Sequence, residues 1–288
     1  MQLGNEFSPF QNKYSINCKG VLMDFSTPKI MGIVNLTPDS FFTRSRFQAE
    51  KEILQQVEKM LEEGADIIDL GAFSSRPNSD FITEEEEKER LLSPLKSIVK
   101  AFPEAVLSVD TYRCTIATQA VSEGATMIND ISGGDLDDNM FETIATLQVP
   151  YVLMHMKGTP KTMQQAPVYE DVVKEITKGF SARLNRLNEL GVNDVILDVG
   201  FGFGKTLEHN YTLLKHLNYF HSLGRPILTG LSRKGMIQKL IGESAENALN
   251  GTTAAHVLAL QNGANILRVH DVKEAKETIQ IVDFYQKQ

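Results

Sequence analysis

Short apolar runs recur eight times along the chain, each bounded by turn-forming residues, with helical patterns between them. They are KIMGIVN (29–35), DIIDLGA (66–72), AVLSVD (105–110), TMIND (126–130), YVLMHM (151–156), DVILDV (194–199), PILTGLS (226–232) and NILRVH (265–270). The runs are near-continuously apolar instead of alternating, as parallel strands covered on both faces require. Between them, Ile53, Leu54, Val57, Met60 and Leu61 share one helical face ahead of Gly64, and Val173, Ile176, Phe180, Leu184 and Leu187 do so ahead of Gly191. Thr83 and Glu86 have capping-box spacing, so the acidic EEEEKE run reads as the solvated start of a helix. This alternation, without any linker-like stretch, predicts a single α/β domain over residues 1–288. The expected architecture is a (β/α)8 TIM barrel over 29–288, with 1–28 as a short N-terminal hairpin extension across the barrel's bottom. A doubly wound open sheet is the alternative.

Composition narrows the function classes. The 288 residues are 42% hydrophobic and 23% charged, an ordinary globular balance. A net charge of -8 and the lack of a Lys/Arg block remove the electrostatic footprint that nucleic-acid binding needs. An anionic ligand must then be held by a few well-placed basic groups. Cys18 and Cys114 lie far apart, which suits a reducing cytosol and buried structural thiols. No signal-peptide pattern opens the chain, and no apolar run approaches the roughly 18 residues of a membrane span, so a cytoplasmic protein is expected.

A barrel of this kind carries its active site at the C-terminal ends of its strands. Those ends here hold Asn35, Ser75 with Arg76, Asp110, Asn129, His155, Asp198, Ser232 with Arg233 and Lys234, and Arg268 with His270. Polar residues do mark places where strands meet water, but amides, carboxylates and bases on so many ends form a constellation. Asp110, Asn129, Asp198 and Lys234 suit a flat heterocycle with several donors and acceptors along one edge, because a carboxylate accepts two parallel N–H bonds. Asn35, Arg76, Arg268 and His270 suit a multiply charged anion such as pyrophosphate, with the Asn35 carbonyl oxygen a candidate Mg²⁺ ligand. Asp271 and Glu274 have capping-box spacing, so a helix should open just after His270.

A heterocycle and a diphosphate, without a Ser-His-Asp set, suggest displacement of pyrophosphate from a heterocyclic alcohol. His155 stands alone and reads as a packed, hydrogen-bonded histidine. DVGFGFGKTL (198–207) fails as a P-loop, since the position five before Gly204 is Val199 and not glycine. It reads better as a strand ending in Asp198, then a glycine loop, then Thr206 as a helix N-cap.

MGIVNLTPDSFF, INDISGG, LMHMKGTPKTM, DVGFGFGKT, LSRKGM and LRVHDV, taken in order over roughly residues 28–272, resemble the successive motifs of the dihydropteroate synthase family. The resemblance implies the joining of 6-hydroxymethyl-7,8-dihydropterin diphosphate to 4-aminobenzoate, by a dissociative displacement that yields 7,8-dihydropteroate and pyrophosphate for folate synthesis. By matching motif it implies that Asp110, Asn129, Asp198 and Lys234 hold the pterin, with Met154 lining the pocket and Arg268 stacking on the ring. It implies Asn35 on Mg²⁺ and the diphosphate, and Arg76, Arg268 and His270 on the diphosphate. Around the aminobenzoate it implies Phe41, Ser75, Pro77, Phe203, Ser232 and Lys234. Asn35, Asp110, Arg268 and Lys234 would carry the chemistry, and a homodimer is implied, with segment 244–262 a candidate surface.

The sequence departs from the family at Val199, where proline is common, and in GAFSSRPN, where Ser75 replaces a threonine and Phe73 an acid. These changes bear on aminobenzoate affinity and sulfonamide sensitivity, not on the reaction. The methyltetrahydrofolate-binding methyltransferases share barrel and pterin pocket but need no diphosphate site, so the second group speaks against them. A catalytically silent pterin-binding module is the remaining rival.

Overall fold

The computed structural model of the chain describes residues 14–36, 46–73, 82–159 and 167–288. It opens with an antiparallel hairpin, β1 (Ser15–Cys18) and β2 (Val21–Asp24). Lys19 and Gly20 both take positive φ, the two-residue turn whose twist matches the flanking strands.

Eight parallel strands follow: β3 (Lys29–Asn35), β4 (Ile67–Gly71), β5 (Leu107–Asp110), β6 (Met127–Asp130), β7 (Tyr151–Met154), β8 (Val195–Asp198), β9 (Ile227–Thr229) and β10 (Ile266–Val269). β10 closes onto β3 through Ile266↔Lys29 to Val269↔Gly32, so the sheet is a closed barrel and the doubly wound alternative is excluded. Helices α1 (Arg46–Glu62), α2 (Glu84–Ala101), α3 (Cys114–Ser122), α4 (Met140–Leu147), α5 (Val172–Glu189), α6 (Leu207–Lys215), α7 (Gly235–Ile241), α8 (Leu249–Gln261) and α9 (Val272–Gln286) occur among the described residues, with a 3₁₀ helix at Leu217–Leu223.

Each strand falls within one of the apolar runs, and most are shorter than the run at its C-terminal end. In YVLMHM only Tyr151–Met154 pair, and in PILTGLS only Ile227–Thr229. The leftover tips leave the sheet at the mouth, which frees their side chains for a site. The helical faces also hold: Val57 of α1 and Ile176, Phe180 and Leu187 of α5 are fully buried against the barrel.

Two readings are corrected. The EEEEKE run is not wholly solvated: Glu87 is 0% exposed, and accepts from Thr111 Oγ1 at 2.6 Å and from the Arg113 guanidinium. Thr83 does cap α2, accepting from the Glu86 N–H at 3.2 Å, while the Glu86 carboxylate turns to Arg90. At the start of α9, Asp271 is the N-cap residue but its side chain caps nothing. Both of its oxygens go to Arg233, at 2.8 and 2.9 Å, because a bidentate charged pair outcompetes a single N–H.

The interior is layered. At the bottom Met31, Ile67, Met127, Val152, Ile196, Leu228 and Ile266 form one apolar cluster with Ile16, Cys18, Met23 and Phe25 of the N-terminal segment, so the hairpin plugs the lower end as expected. Burial against this plug and the charge of Asp194 push the Cys18 thiol up to about 12, the state of an inert structural thiol.

Candidate active site

Inward-facing positions alternate along a strand, about 6.6 Å apart. Stepping up once from the bottom layer turns Ile67 into Asp69, Met127 into Asn129, Val152 into Met154, Ile196 into Asp198 and Ile266 into Arg268. The pleat thus converts an apolar plug into a layer rich in charge. Pairing sets the neighbours: Asp110 lies beside Asn129 on β5 and β6, and Met154 beside Asp198 on β7 and β8.

Arg268 is the hub of this layer. Its Nε donates to Asp69 Oδ2 at 2.7 Å, and its Nη2 lies 2.6 Å from the same oxygen and 2.8 Å from Asp110 Oδ2. Asn129 Nδ2 donates to Asp69 Oδ2 as well, at 3.1 Å. Residues from β4, β5, β6 and β10 therefore meet around one guanidinium. Asp110 Oδ1 is buried and has no hydrogen-bond partner among the described residues, an arrangement that favours a ligand presenting N–H groups, while Asp69 lies a step deeper in the barrel. Burial pushes the Asp110 carboxyl up, against the pull of Arg268 and with the charge of Asp69 adding to the rise. Burial also raises Asp198, which Lys234, Arg268 and Lys205 pull back. Lys234 is lowered to about 8 by burial, with Asp198 opposing.

Apolar groups complete the mouth. Phe73, Tyr112, Ile131, Met154, Met156 and Phe203 form a separate cluster above the layer. Phe73 packs edge-on against Tyr112, ring centroids 5.3 Å apart, so the residue that stands in place of an acid is part of this wall. Lys234, at the N-cap of α7, donates from Nζ to the Phe201 carbonyl at 2.5 Å and lies 4.7 Å from the Phe203 ring centroid. Phe201 itself is fully buried in the main core, whereas Phe203 belongs to the cluster at the mouth.

The glycine loop after β8 is bracketed from inside by Lys205. Its Nζ donates to the carbonyls of Gly200 and Phe203, both at 2.9 Å, and to the His155 backbone carbonyl at 3.3 Å, and contacts His155 Nδ1 at 3.1 Å. Burial lowers this lysine to about 7. His155 is thereby a packed, hydrogen-bonded residue as read from the sequence, its basicity depressed by burial and by Lys205. Thr206 caps α6 in a reciprocal box with His209. Gly200 and Gly204 sit at φ +68 and +65, where an added Cβ would lie 2.0 Å from the His155 carbonyl and 2.3 Å from that of Lys157. Gly200→Ala is expected to cost at least about 2 kcal/mol from the left-handed backbone and the clash together, read as a lowered midpoint in urea unfolding. An unchanged midpoint would show that the loop can move away.

At the rim, Ser232 Oγ and His270 Nδ1 are 3.0 Å apart, and the His270 N–H donates to the same hydroxyl at 3.2 Å. Asn35 ends β3, exposed at the mouth. Phe41, Ser75, Arg76 and Pro77 lie outside the described residues. Among the remaining sequence candidates, Asp110, Asn129, Met154, Asp198, Phe203, Ser232, Lys234, Arg268, His270 and Asn35 all stand at the strand ends of the same mouth or in the loops that follow them. Sequence reading missed Asp69, whose signal was an acid in the middle of an apolar run, and the wall residues Tyr112, Ile131 and Met156.

A closed parallel barrel with a carboxylate-rich, guanidinium-centred mouth defines a ligand-binding TIM-barrel enzyme, and the chain belongs to the pterin-binding enzyme family, whose model matches residues 31–270. Its relatives are dihydropteroate synthases, a transferase family. That of Haemophilus influenzae is 41% identical over 261 residues, 90% of this chain and 94% of that protein. The Yersinia pestis dihydropteroate synthase, solved with a sulfonamide drug, superposes with a TM-score of 0.89 at 38% identity, covering 96% of this chain and 100% of that one. The Xanthomonas albilineans enzyme, solved with 4-aminobenzoic acid, gives a TM-score of 0.87 at 36% identity, covering 96% and 99%.

Proposed function

We infer that the mouth is a dihydropteroate synthase site: the chain joins 6-hydroxymethyl-7,8-dihydropterin diphosphate to 4-aminobenzoate and releases pyrophosphate and 7,8-dihydropteroate. The carrying observation is the layer in which Asp110, Asn129, Asp198 and Arg268 converge, with the Asp110 Oδ1 acceptor buried and without a partner among the described residues. An amino-pyrimidinone edge supplies the N–H groups such oxygens need. Asp198 takes the paired N–H groups of that edge, Asn129 meets it with a donor and an acceptor, and Lys234 donates to a ring nitrogen or carbonyl. Met154 lines the ring, and Arg268 lies over it.

The chemistry is a dissociative displacement. The bond between the exocyclic methylene and the diphosphate oxygen breaks with both electrons leaving on pyrophosphate, while the electron-rich dihydropterin feeds density to the methylene carbon. Asp110 stabilises the resulting cation, and Arg76, Arg268 and His270 hold the leaving anion. The arylamine nitrogen of 4-aminobenzoate then forms the new C–N bond and gives its proton to solvent. Phe41, Ser75, Pro77, Phe203, Ser232 and Lys234 surround that second substrate, and no enzyme nucleophile is needed.

Mg²⁺ fits this reading as an ion carried in with the diphosphate. Among the described residues no group of three His, Cys, Asp or Glu side chains is placed to hold a metal by itself. Magnesium is commonly bound by one or two protein ligands together with phosphates and water, so Asn35 at the mouth is a sufficient protein contribution. The ion would neutralise charge on the leaving group.

Incorporation of radiolabelled 4-aminobenzoate into dihydropteroate in the presence of the pterin diphosphate tests the function. Absence of product together with absence of pyrophosphate binding in Mg²⁺ would favour a methyltransferase-type site instead.

The partner reading is a homodimer. Leu240 and Ile241 of α7, Leu258 of α8, and Ile281, Phe284 and Tyr285 of α9 are exposed apolar side chains on neighbouring helices, in and beside the 244–262 segment. Sedimentation is expected to give a dimer at micromolar concentration, and Phe284→Glu a shift towards monomer; a wild-type monomer ends this part of the reading. A cytoplasmic location is supported by the two unpaired cysteines, and cell fractionation tests it. No described helix is long and apolar enough to cross a membrane.

A further inference from the structure

Asp69 is an acid at the centre of the barrel, 0% exposed, and the motif-bearing strand tips leave it without a role. Its Oδ2 receives Arg268 Nε at 2.7 Å and Asn129 Nδ2 at 3.1 Å, while Arg268 Nη2 stands 2.6 Å away. Burying a carboxylate is costly unless it is paired and hydrogen-bonded, so this acid is held in place by what it organises. Two contacts from one oxygen to Nε and Nη2 fix the plane of the guanidinium, which a single contact through Nη2 to Asp110 leaves free to swing. The same oxygen settles the polarity of Asn129. A carboxylate only accepts, so the amide NH₂ must face Asp69, and the Asn129 carbonyl oxygen and second N–H are what a ligand meets.

We propose that Asp69 is a positioning residue of the pterin diphosphate site, setting the Arg268 guanidinium plane and the amide orientation of Asn129 through its one shared oxygen. The inference rests on the functional reading above. Asp69 touches no substrate in it. Its consequence is specific: when a pterin engages Asp110, Asp69 is the anchor that keeps Arg268 in register between the ring and the diphosphate.

The test is a set of variants of the full chain. Asp69→Ala should lower kcat/KM for the pterin diphosphate by about 100-fold, the scale on which a small misplacement of a positioned group acts. KM for 4-aminobenzoate should be unchanged. Asp69→Asn, which keeps one acceptor oxygen at Nε, should recover much of the loss. In an Arg268→Ala background, Asp69→Ala should cost no more than about threefold further, since both act through one group. Equal losses for both substrates, or additive losses in the double variant, would overturn the proposal.

Wild-type protein supplies a readout that requires no turnover and uses a variant only to assign the signal. The Arg268 Nε–H, assigned by Arg268→Lys, should give a resolved and slowly exchanging ¹⁵N–¹H signal, free and with a diphosphate-free pterin and pyrophosphate bound. A rapidly exchanging signal with pterin bound sinks the anchor role. A wild type that makes no dihydropteroate sinks the functional reading instead, so the two failures are told apart.

Discussion

Asp198→Asn is expected to abolish tight pterin binding while leaving the fold intact. Asp198 is buried at the end of β8, and one of its oxygens already accepts the Gly200 N–H at 2.8 Å. Asparagine keeps an acceptor for that turn but turns an NH₂ group towards the donor edge of the pterin, so two charge-assisted bonds are lost and a donor faces a donor. At about 1.5–3 kcal/mol for each bond to a charged group, the loss is at least about 3 kcal/mol, or more than 100-fold in Kd. Asp198→Ala should lose as much binding and also stability, because Lys234, Arg268 and Lys205 all feel the charge of Asp198 and the Gly200 N–H would be left unpaired. Pterin titration by fluorescence, beside urea unfolding, separates the two effects. Near-native pterin affinity in Asp198→Asn would remove this residue from the site.

Arg268→Ala is expected to damage folding and substrate use together. The side chain is the shared cation of Asp69 and Asp110, both deep in the barrel, and its removal strands two carboxylates. Breaking a buried pair in this way typically costs about 3–5 kcal/mol. The penalty should depend on pH with a definite sign. Without the guanidinium, the folded-state Asp110 carboxyl titrates further above its unfolded value, so the folded state binds more protons in the window between the two. Stability is then fully present below the unfolded carboxylate range and is lost as pH rises through the folded values. Burial already raises Asp110 to about 8 in the intact protein, and loss of Arg268 raises it further, so the pH-dependent part of the deficit relative to wild type should be small at about pH 6 and should grow as pH rises past about 8. A deficit that does not change between those pH values would mean the carboxylates found other partners. On the functional side, use of the pterin diphosphate should fall far more than binding of a pterin without phosphates.

The residues that sequence reading missed share a cause. Asp69 lies inside DIIDLGA, where an acid in an apolar run is visible, but its partners are on β6 and β10, far along the chain. Glu87 stands in a run of four glutamates, yet it belongs to the same helical face as Leu91, Leu95 and Ile98, all buried. Its period marks it as inward, and its partners Arg113 and Thr111 show how the charge is accommodated. The spacing of Asp271 and Glu274 was sufficient for a cap, and the helix does begin there, but Arg233 competes for the carboxylate from another loop. Local pattern ranks what a side chain can do with its chain neighbours. It contains no information on competitors brought in by the fold.

The strands, their closure into repeating units and the identity of the polar groups at their tips are written in local order: near-continuous apolar runs suit only covered parallel strands, and glycines such as Gly200 and Gly204 stand where the backbone requires them. Which charges meet was decided by the barrel alone. Its register brings Asp69, Asp110 and Asn129 around an arginine roughly two hundred residues on from Asp69, and the electrostatics of that encounter depend on burial and distance, which exist only in three dimensions.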